Sequence, residues 1–298
     1  MSAGSREKIW LAIALTLLSL VLFNLMGLVI KLLSPRYGAA ELSVWRNAFG
    51  LIPSVIALTT SRSWHAAGRR WVIRQWPLGC LRGVIVTFAQ FMFYLSLGNL
   101  AFATATTITY SNALFMTAFA VPILGERVGL IRWGAVLVGF AGVMWIMKPG
   151  GDGLSFLAVA PIASAALYAL AAVTARLMDA DVPSPLVNLY SSGTAMVGAI
   201  CLALATGGIS GVQTPADLGW IAAMGGCGGT AVLCMVIAYR MAEQSTLAPF
   251  TYFGIPFALL LGWMFFGEAP LDDLFPGALL VAAGGLMVIW RERQVRRR

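Results

Sequence analysis

Apolar residues run through this chain in stretches of about 17 to 25, separated by short breaks that hold nearly every Lys, Arg, Asp and Glu. A stretch of that length spans a bilayer as helix, at about 1.5 Å of rise per residue. The stretches lie at approximately 9–33, 41–60, 76–98, 101–123, 128–147, 154–176, 186–206, 217–241, 246–266 and 271–290, and they predict ten transmembrane helices. Trp10, Trp45, Trp76, Trp133, Trp145, Trp220, Trp263 and Trp290 fall near the predicted ends, where amphipathic indoles collect at headgroup level. One stretch breaks the pattern from within. Residues 103–115, ATATTITYSNALF, carry hydroxyl or amide side chains at Thr104, Thr106, Thr107, Thr109, Tyr110, Ser111 and Asn112, then continue without a break into Phe119, Val121 and Leu124.

Composition agrees with the pattern. The chain is 59% hydrophobic and only 11% charged, with a mean hydropathy of +0.84, far from the balance of a soluble domain. The fold class is therefore an all-α integral membrane protein. On the side of the N-terminus lie Arg6, Lys8, Arg62, Arg69, Arg70, Arg74, Arg127, Arg132, Arg176, Arg240, Arg291, Arg293, Arg296, Arg297 and Arg298; the opposite side has Lys31, Arg36 and Lys148. That asymmetry places both termini in the cytoplasm of an inner-membrane protein. The net charge of +8 then reflects topology and attraction to anionic lipid, and implies no nucleic-acid partner. The first apolar run is too long for a signal peptide and reads as a retained span. Cys80, Cys201, Cys227 and Cys234 sit inside predicted spans without metal-ligand spacing, so no disulfide framework, zinc site or other cofactor is expected.

The chain also repeats itself. A shift of 142 residues lays 103–126 over 245–268 and matches Thr104 with Thr246, Thr109 with Thr251, Tyr110 with Tyr252, Phe115 with Phe257, Gly125 with Gly267 and Glu126 with Glu268. A shift of 143 lays GAVLVGFAGVMWI (134–146) over GALLVAAGGLMVI (277–289), and a shift of 145 pairs 21–33 with 166–178, where Lys31 meets Arg176. The unit is five helices, residues 1–150 and 151–298. An odd unit forces the second copy to enter the membrane from the opposite face, which makes an inverted repeat. That architecture is common in secondary transporters, whose substrate sits near the midplane between halves.

Polar groups in mid-span are the candidate chemistry. Thr107, Tyr110 and Ser111 share a helix face by three-and-four spacing, and that face can line a cavity; the plainer account is that each Thr or Ser bonds back to a carbonyl four residues earlier. Asn112 and Tyr252 join them as candidates, as do Asn24, Gln90, Tyr94 and Tyr168, because a buried amide in hydrocarbon needs partners and a phenol offers both a flat face and a donor. Arg46 and Arg82 each lie within a span about 7 to 9 Å from its end, close enough to snorkel. Arg46 is carried forward as a candidate for a substrate carboxylate. Gly125-Glu126 and Gly267-Glu268 read locally: Gly ends one helix and Glu suits the positive N-terminus of the next. Glycines at 225–229 and at 134, 139, 142, 277, 284 and 285 permit close helix approach, within one copy or across a dimer seam. Pro53, Pro122, Pro161, Pro249 and Pro256 are kinks or hinges. The acids all fall near span ends, and no phosphate loop of the GxxxxGK[ST] kind is present, so neither a midplane proton relay nor ATP-driven pumping by this chain is expected.

ELSVWRNAFGLIP, ILGERVGLIRWGAVLVGFAGVMWI and FFGEAPLDDLFPGALLVAAGGLMVIW resemble the EamA-type ten-helix carriers of the drug/metabolite transporter superfamily. The resemblance covers nearly the whole chain as two EamA-like halves. It implies a secondary transporter that exports small metabolites by alternating access, with YddG-like exporters of aromatic amino acids the preferred branch and other neutral amino acids next. A carrier of other metabolites, drugs or nucleotide sugars is the alternative within transport. An intramembrane lipid-modifying enzyme using Asp272 and Asp273 as a metal pair is the remote one. The expected partners are a small-molecule substrate and the bilayer, with the chain monomeric or homodimeric.

Overall fold

The computed structural model describes residues 3–61, 64–65, 68, 71–125, 129–147, 156–175, 177–179, 182–241, 247, 250, 252–268 and 274–296. Eleven helices run among them: α1 (Ala3–Leu33), α2 (Ala39–Thr59), α3 (Trp76–Asn99), α4 (Phe102–Thr109), α5 (Asn112–Leu124), α6 (Leu130–Met147), α7 (Phe156–Ala175), α8 (Ser184–Thr206), α9 (Pro215–Met241), α10 (Gly254–Phe266) and α11 (Gly277–Arg296). Lys148, Glu126, Arg127, Arg176, Glu243, Thr246, Pro249, Thr251, Asp272 and Asp273 lie outside the described residues.

Among the described residues, six segments are long and apolar enough to cross a bilayer: Lys8–Leu33, Ala39–Thr59, Trp76–Asn99, Phe102–Leu124, Pro185–Thr206 and Pro215–Met235. Trp133–Ile146, Val159–Ala175, Gly254–Phe266 and Gly277–Met287 are shorter apolar helices. Ile56, Leu130, Leu137, Leu204, Trp263 and Leu279 turn outward, each more than half exposed. An apolar exterior on helices whose backbone bonds are internally satisfied is what a multi-pass membrane protein requires. Trp45 departs from the other end-placed indoles: it packs half-buried against the core instead of facing outward.

The fourth predicted span is not one helix. It breaks at Tyr110-Ser111, where Ser111 N–H bonds to the Ile108 carbonyl and Leu114 N–H to Ser111, three residues back instead of four. The predicted span at 246–266 shows the same feature. α10 starts only at Gly254, after a turn at Tyr252-Phe253 in which Phe253 N–H bonds to the Phe250 carbonyl and Ile255 N–H to Tyr252. Both helices then end on a left-handed glycine, Gly125 at φ 68° and Gly267 at φ 65°, a conformation in which a Cβ is strained.

Small residues set the helix spacing. A Cβ at Gly142 would stand 2.6 Å from the Gly277 carbonyl oxygen, and one at Gly284 would stand 2.7 Å from the Ala135 carbonyl and Gly139 Cα, so α6 and α11 cross antiparallel with their backbones in contact. On the other flank Gly229 meets the Gly50 carbonyl at 2.7 Å by the same measure, which seats α9 on α2. Close backbone approach of this kind replaces the hydrophobic drive that lipid cannot supply. Gly134 and Gly226 have nothing near them and do not contribute. The principal pairings are α1 with α9, α3 with α7, α2 with α9, α3 with α8, α2 with α8 and α6 with α11; α5 with α7, α4 with α10 and α1 with α10 are lighter. The largest buried cluster, including Ile30, Leu33, Tyr37, Leu42, Leu97, Phe102, Ile221 and Leu261, gathers at the end of the bundle where α1 finishes.

Candidate functional site

A cavity of about 430 Å³ lies between the helices. It runs from the level of Met26, Arg46, Tyr94 and Thr106 toward the end at which α8 begins, where Arg82, Asn188 and Ser191 line it. Its volume falls in the usual range for small-molecule sites. Asn24, Arg46, Gln90, Tyr94, Tyr110, Asn112, Tyr168 and Tyr252 all stand on its wall. Thr107 and Ser111 do not; both are fully buried, without a hydrogen-bond partner, behind the wall. The cavity takes the adjoining face, on which Thr106, Thr109, Tyr110, Ala113 and Met116 follow one another at helical spacing, while Thr107, Ser111 and Leu114 form the buried face beside it. Thr106 and Thr109 bond back to Phe102 and Ala105 carbonyls at 2.7 and 2.9 Å, so their methyls are free to face the cavity.

The tyrosines on the two breaks are seated by glycine. A Cβ at Gly254 would fall 1.7 Å from the Tyr110 hydroxyl, and one at Gly285 would fall 1.4 Å from that of Tyr252. Each phenol therefore occupies space that only a missing side chain provides. The Tyr110 hydroxyl lies beside Asn24, whose Nδ2 donates to the Leu20 carbonyl at 2.9 Å.

Arg46 is 8% exposed, at the blind end of the cavity under the apolar cluster. Its Nη1 donates to Asn47 Oδ1 at 2.9 Å; Asn47 Nδ2 donates to Gln90 Oε1 at 2.8 Å; and Ser43 Oγ donates to the same oxygen at 2.7 Å. Gln90 Nε2 returns a bond to Asn47 Oδ1 at 3.3 Å. This network ties α2 to α3 and fixes the guanidinium. Neither Ser43 nor Asn47 was a sequence candidate, although Ser43, Asn47 and Arg46 are neighbours on one helix turn. Asn188, Ser191 and Ser192 were missed as well, and their i, i+3, i+4 spacing on α8 is the signal that marks them. Arg82 lines the other end, where its Nε donates to the Ala171 carbonyl at 3.0 Å and its Nη1 to Ser191 Oγ at 3.2 Å.

The end of the bundle beyond Arg46 is closed by polar ties over the apolar cluster. Lys31 Nζ donates to Glu268 Oε1 at 2.5 Å and to the Leu100 carbonyl at 2.8 Å, while Phe102 N–H donates to Glu268 Oε2 at 2.8 Å. Glu268 neutralises Lys31 and sits on the N-terminus of α4, joining α1, α4 and the end of α10. Arg36 pairs with Asp217 at 2.6 Å and Tyr37 donates to the same carboxylate at 3.0 Å, which fastens the α1–α2 connection to the start of α9.

Residues 10–148, a little under half of the chain, match the EamA-like transporter family. Relatives extend the likeness beyond that stretch. It is 33% identical to a riboflavin transporter of Rhizobium johnstonii over 65% of this chain and 64% of the relative, so the aligned region spans a little under two thirds of that protein. It is 26% identical to the pseudopaline exporter CntI of Pseudomonas aeruginosa over 93% of each. A crystal structure of another protein, 20% identical, superposes with a TM-score of 0.66 over 95% of this chain and 98% of that one, and shares the fold. The relatives' names are those of transporters, not enzymes.

Proposed function

We propose that this EamA-type chain is a secondary carrier of small metabolites in the inner membrane, built from two inverted five-helix repeats, 1–150 and 151–298, and working by alternating access. The observation that carries the reading is the matched pair of helix breaks at Tyr110-Ser111 and Tyr252-Phe253, which the 142-residue repeat makes equivalent and which both bring a tyrosine to one cavity. Discontinuous helices at a central site are a recurring device of carriers. The packing supports the repeat. Exchanging first-half for second-half helices turns α1 on α9 into α7 on α3, α2 on α9 into α8 on α3, and α5 on α7 into α10 on α1, and it leaves α2 on α8 and α6 on α11 unchanged; each of these products is an observed pairing. The family match also ends at residue 148, where the first repeat is expected to end.

With the termini in the cytoplasm, as the distribution of Lys and Arg favours, the cavity extends inward and the Lys31–Glu268 tie closes the outer end. This is an inward-facing arrangement. Tyrosine faces, Phe23 and Phe93 suit a ring or apolar side chain, and aromatic or neutral amino acids are the finer reading of the cargo. A larger flat metabolite is the second reading, favoured by the cavity's volume and by the relative named as a riboflavin transporter.

Proteoliposomes loaded in turn with labelled Phe, Trp, Leu, Met, Thr and riboflavin separate these. Faster release of an amino acid than from protein-free liposomes is expected, and repeating it with an imposed pH gradient reads coupling. Release of riboflavin alone ends the amino-acid reading, and release of none from folded protein ends both.

A further inference from the structure

We infer that the cavity takes organic anions, and that Arg46 receives a carboxylate or phosphate oxygen of the cargo at the blind end. The inference deepens the carrier reading and rests on it only for the claim that what binds is then moved. Charge on the wall is the first ground. Arg46 and Arg82 both line the cavity, at opposite ends of it, and among the described residues the wall includes no Asp, Glu, Lys or His. Among the described residues, the two ion pairs are Lys31 with Glu268 and Arg36 with Asp217, so neither cavity arginine has a carboxylate partner.

The second ground is local and independent of charge counting. Arg46 Nε is buried and makes no hydrogen bond, and so is the hydroxyl of Tyr94, on the same wall at the same level. Two unspent donors therefore belong to residues of the same wall. Their supports are fully spent: Asn47 Oδ1 already accepts from Arg46 Nη1 and from Gln90 Nε2, so the network holds the guanidinium without neutralising it. Gly228 completes the seat, because a Cβ there would stand 3.0 Å from Nε and push the guanidinium off α9.

A buried guanidinium with a free N–H, beside a free phenol O–H, is complementary to an oxyanion and repels a cation. Arg82 at the wider end adds attraction for the same charge on the way in. The cargo class is then an apolar or ring-bearing body with an anionic oxygen group. An amino acid meets this description through its carboxylate and a flavin only through an added phosphate.

The test uses matched pairs that differ in the anion: phenylalanine against phenylalaninamide, 3-phenylpropanoate against 3-phenylpropanamide, and flavin mononucleotide against riboflavin. Binding of each to the purified full chain is measured by calorimetry, in wild type and in Arg46→Gln and Arg46→Lys. The expected result is that the anionic member of a pair binds about tenfold or more tightly, that Arg46→Gln removes the difference, and that Arg46→Lys keeps part of it. Equal binding of neutral and anionic members, a preference that survives Arg46→Gln, or no binding of any anion to folded wild type overturns the inference. Wild type alone gives the first and third outcomes, so they do not depend on the variants folding. Neutral compounds released from liposomes while anions fail to bind would sink this inference and leave the carrier. Arg46-dependent anion binding with no release of any compound would do the reverse.

Discussion

Neutralising Glu268 should open the closed end of the bundle. The Glu268→Gln variant keeps the side chain's shape but removes the charge that Lys31 Nζ and Phe102 N–H both address, at 2.5 and 2.8 Å. Hydrogen bonds to a charged group contribute about 1.5 to 3 kcal/mol each. The side chains are 12% and 29% exposed, so screening lowers this, and about 2 kcal/mol for the tie is reasonable. If the tie is made in only one of two conformations, its loss moves their ratio about 30-fold. A single cysteine at Leu97, fully buried in the apolar cluster between this end and the cavity, reports the opening in a background without the four native cysteines. Maleimide labelling from the Lys31 face should accelerate by about that factor in Glu268→Gln and similarly in Lys31→Met. The double variant should exceed neither single by much, because the second change removes a contact already lost. Labelling rates within about twofold of the parent, or a double variant equal to the sum of the singles, would refute the reasoning.

Gly142→Ala places a Cβ 2.6 Å from the Gly277 carbonyl and should cost about 1 to 3 kcal/mol of stability, read as a lower unfolding temperature in detergent, whereas Gly134→Ala, with nothing near it, should leave that temperature unchanged. Gln90→Leu deprives Asn47 Nδ2 and Ser43 Oγ of their shared acceptor and should cost about 1 to 3 kcal/mol. Because the same network orients Arg46, it should also weaken binding of anionic compounds several-fold in calorimetry while leaving that of neutral ones little changed.

The apolar runs, the separation of charge and the glycine positions were legible in the chain because lipid imposes a simple rule: backbone polarity must be satisfied inside each helix, and side chains facing acyl chains must be apolar. Element positions and most cavity residues follow from that rule, since a polar side chain in mid-span has few places to go. Which face it takes does not follow. Thr107 and Ser111 lie with Leu114 on an interior face, and Tyr110 lies with Thr106, Thr109 and Ala113 on the adjoining face that lines the cavity; helical spacing alone does not say which of two adjoining faces turns to it. Nothing local to Glu268 distinguishes a helix-start acid from the partner of Lys31, 237 positions away in the chain. Periodicity and charge count act over a turn or a span, so the sequence by itself determined a multi-helix membrane protein with polarity at its centre. Only packing brings α1, α4 and α10 to one point, and the tertiary structure alone decided which end is tied shut and that Arg46 lies buried beside the cavity with a donor unspent.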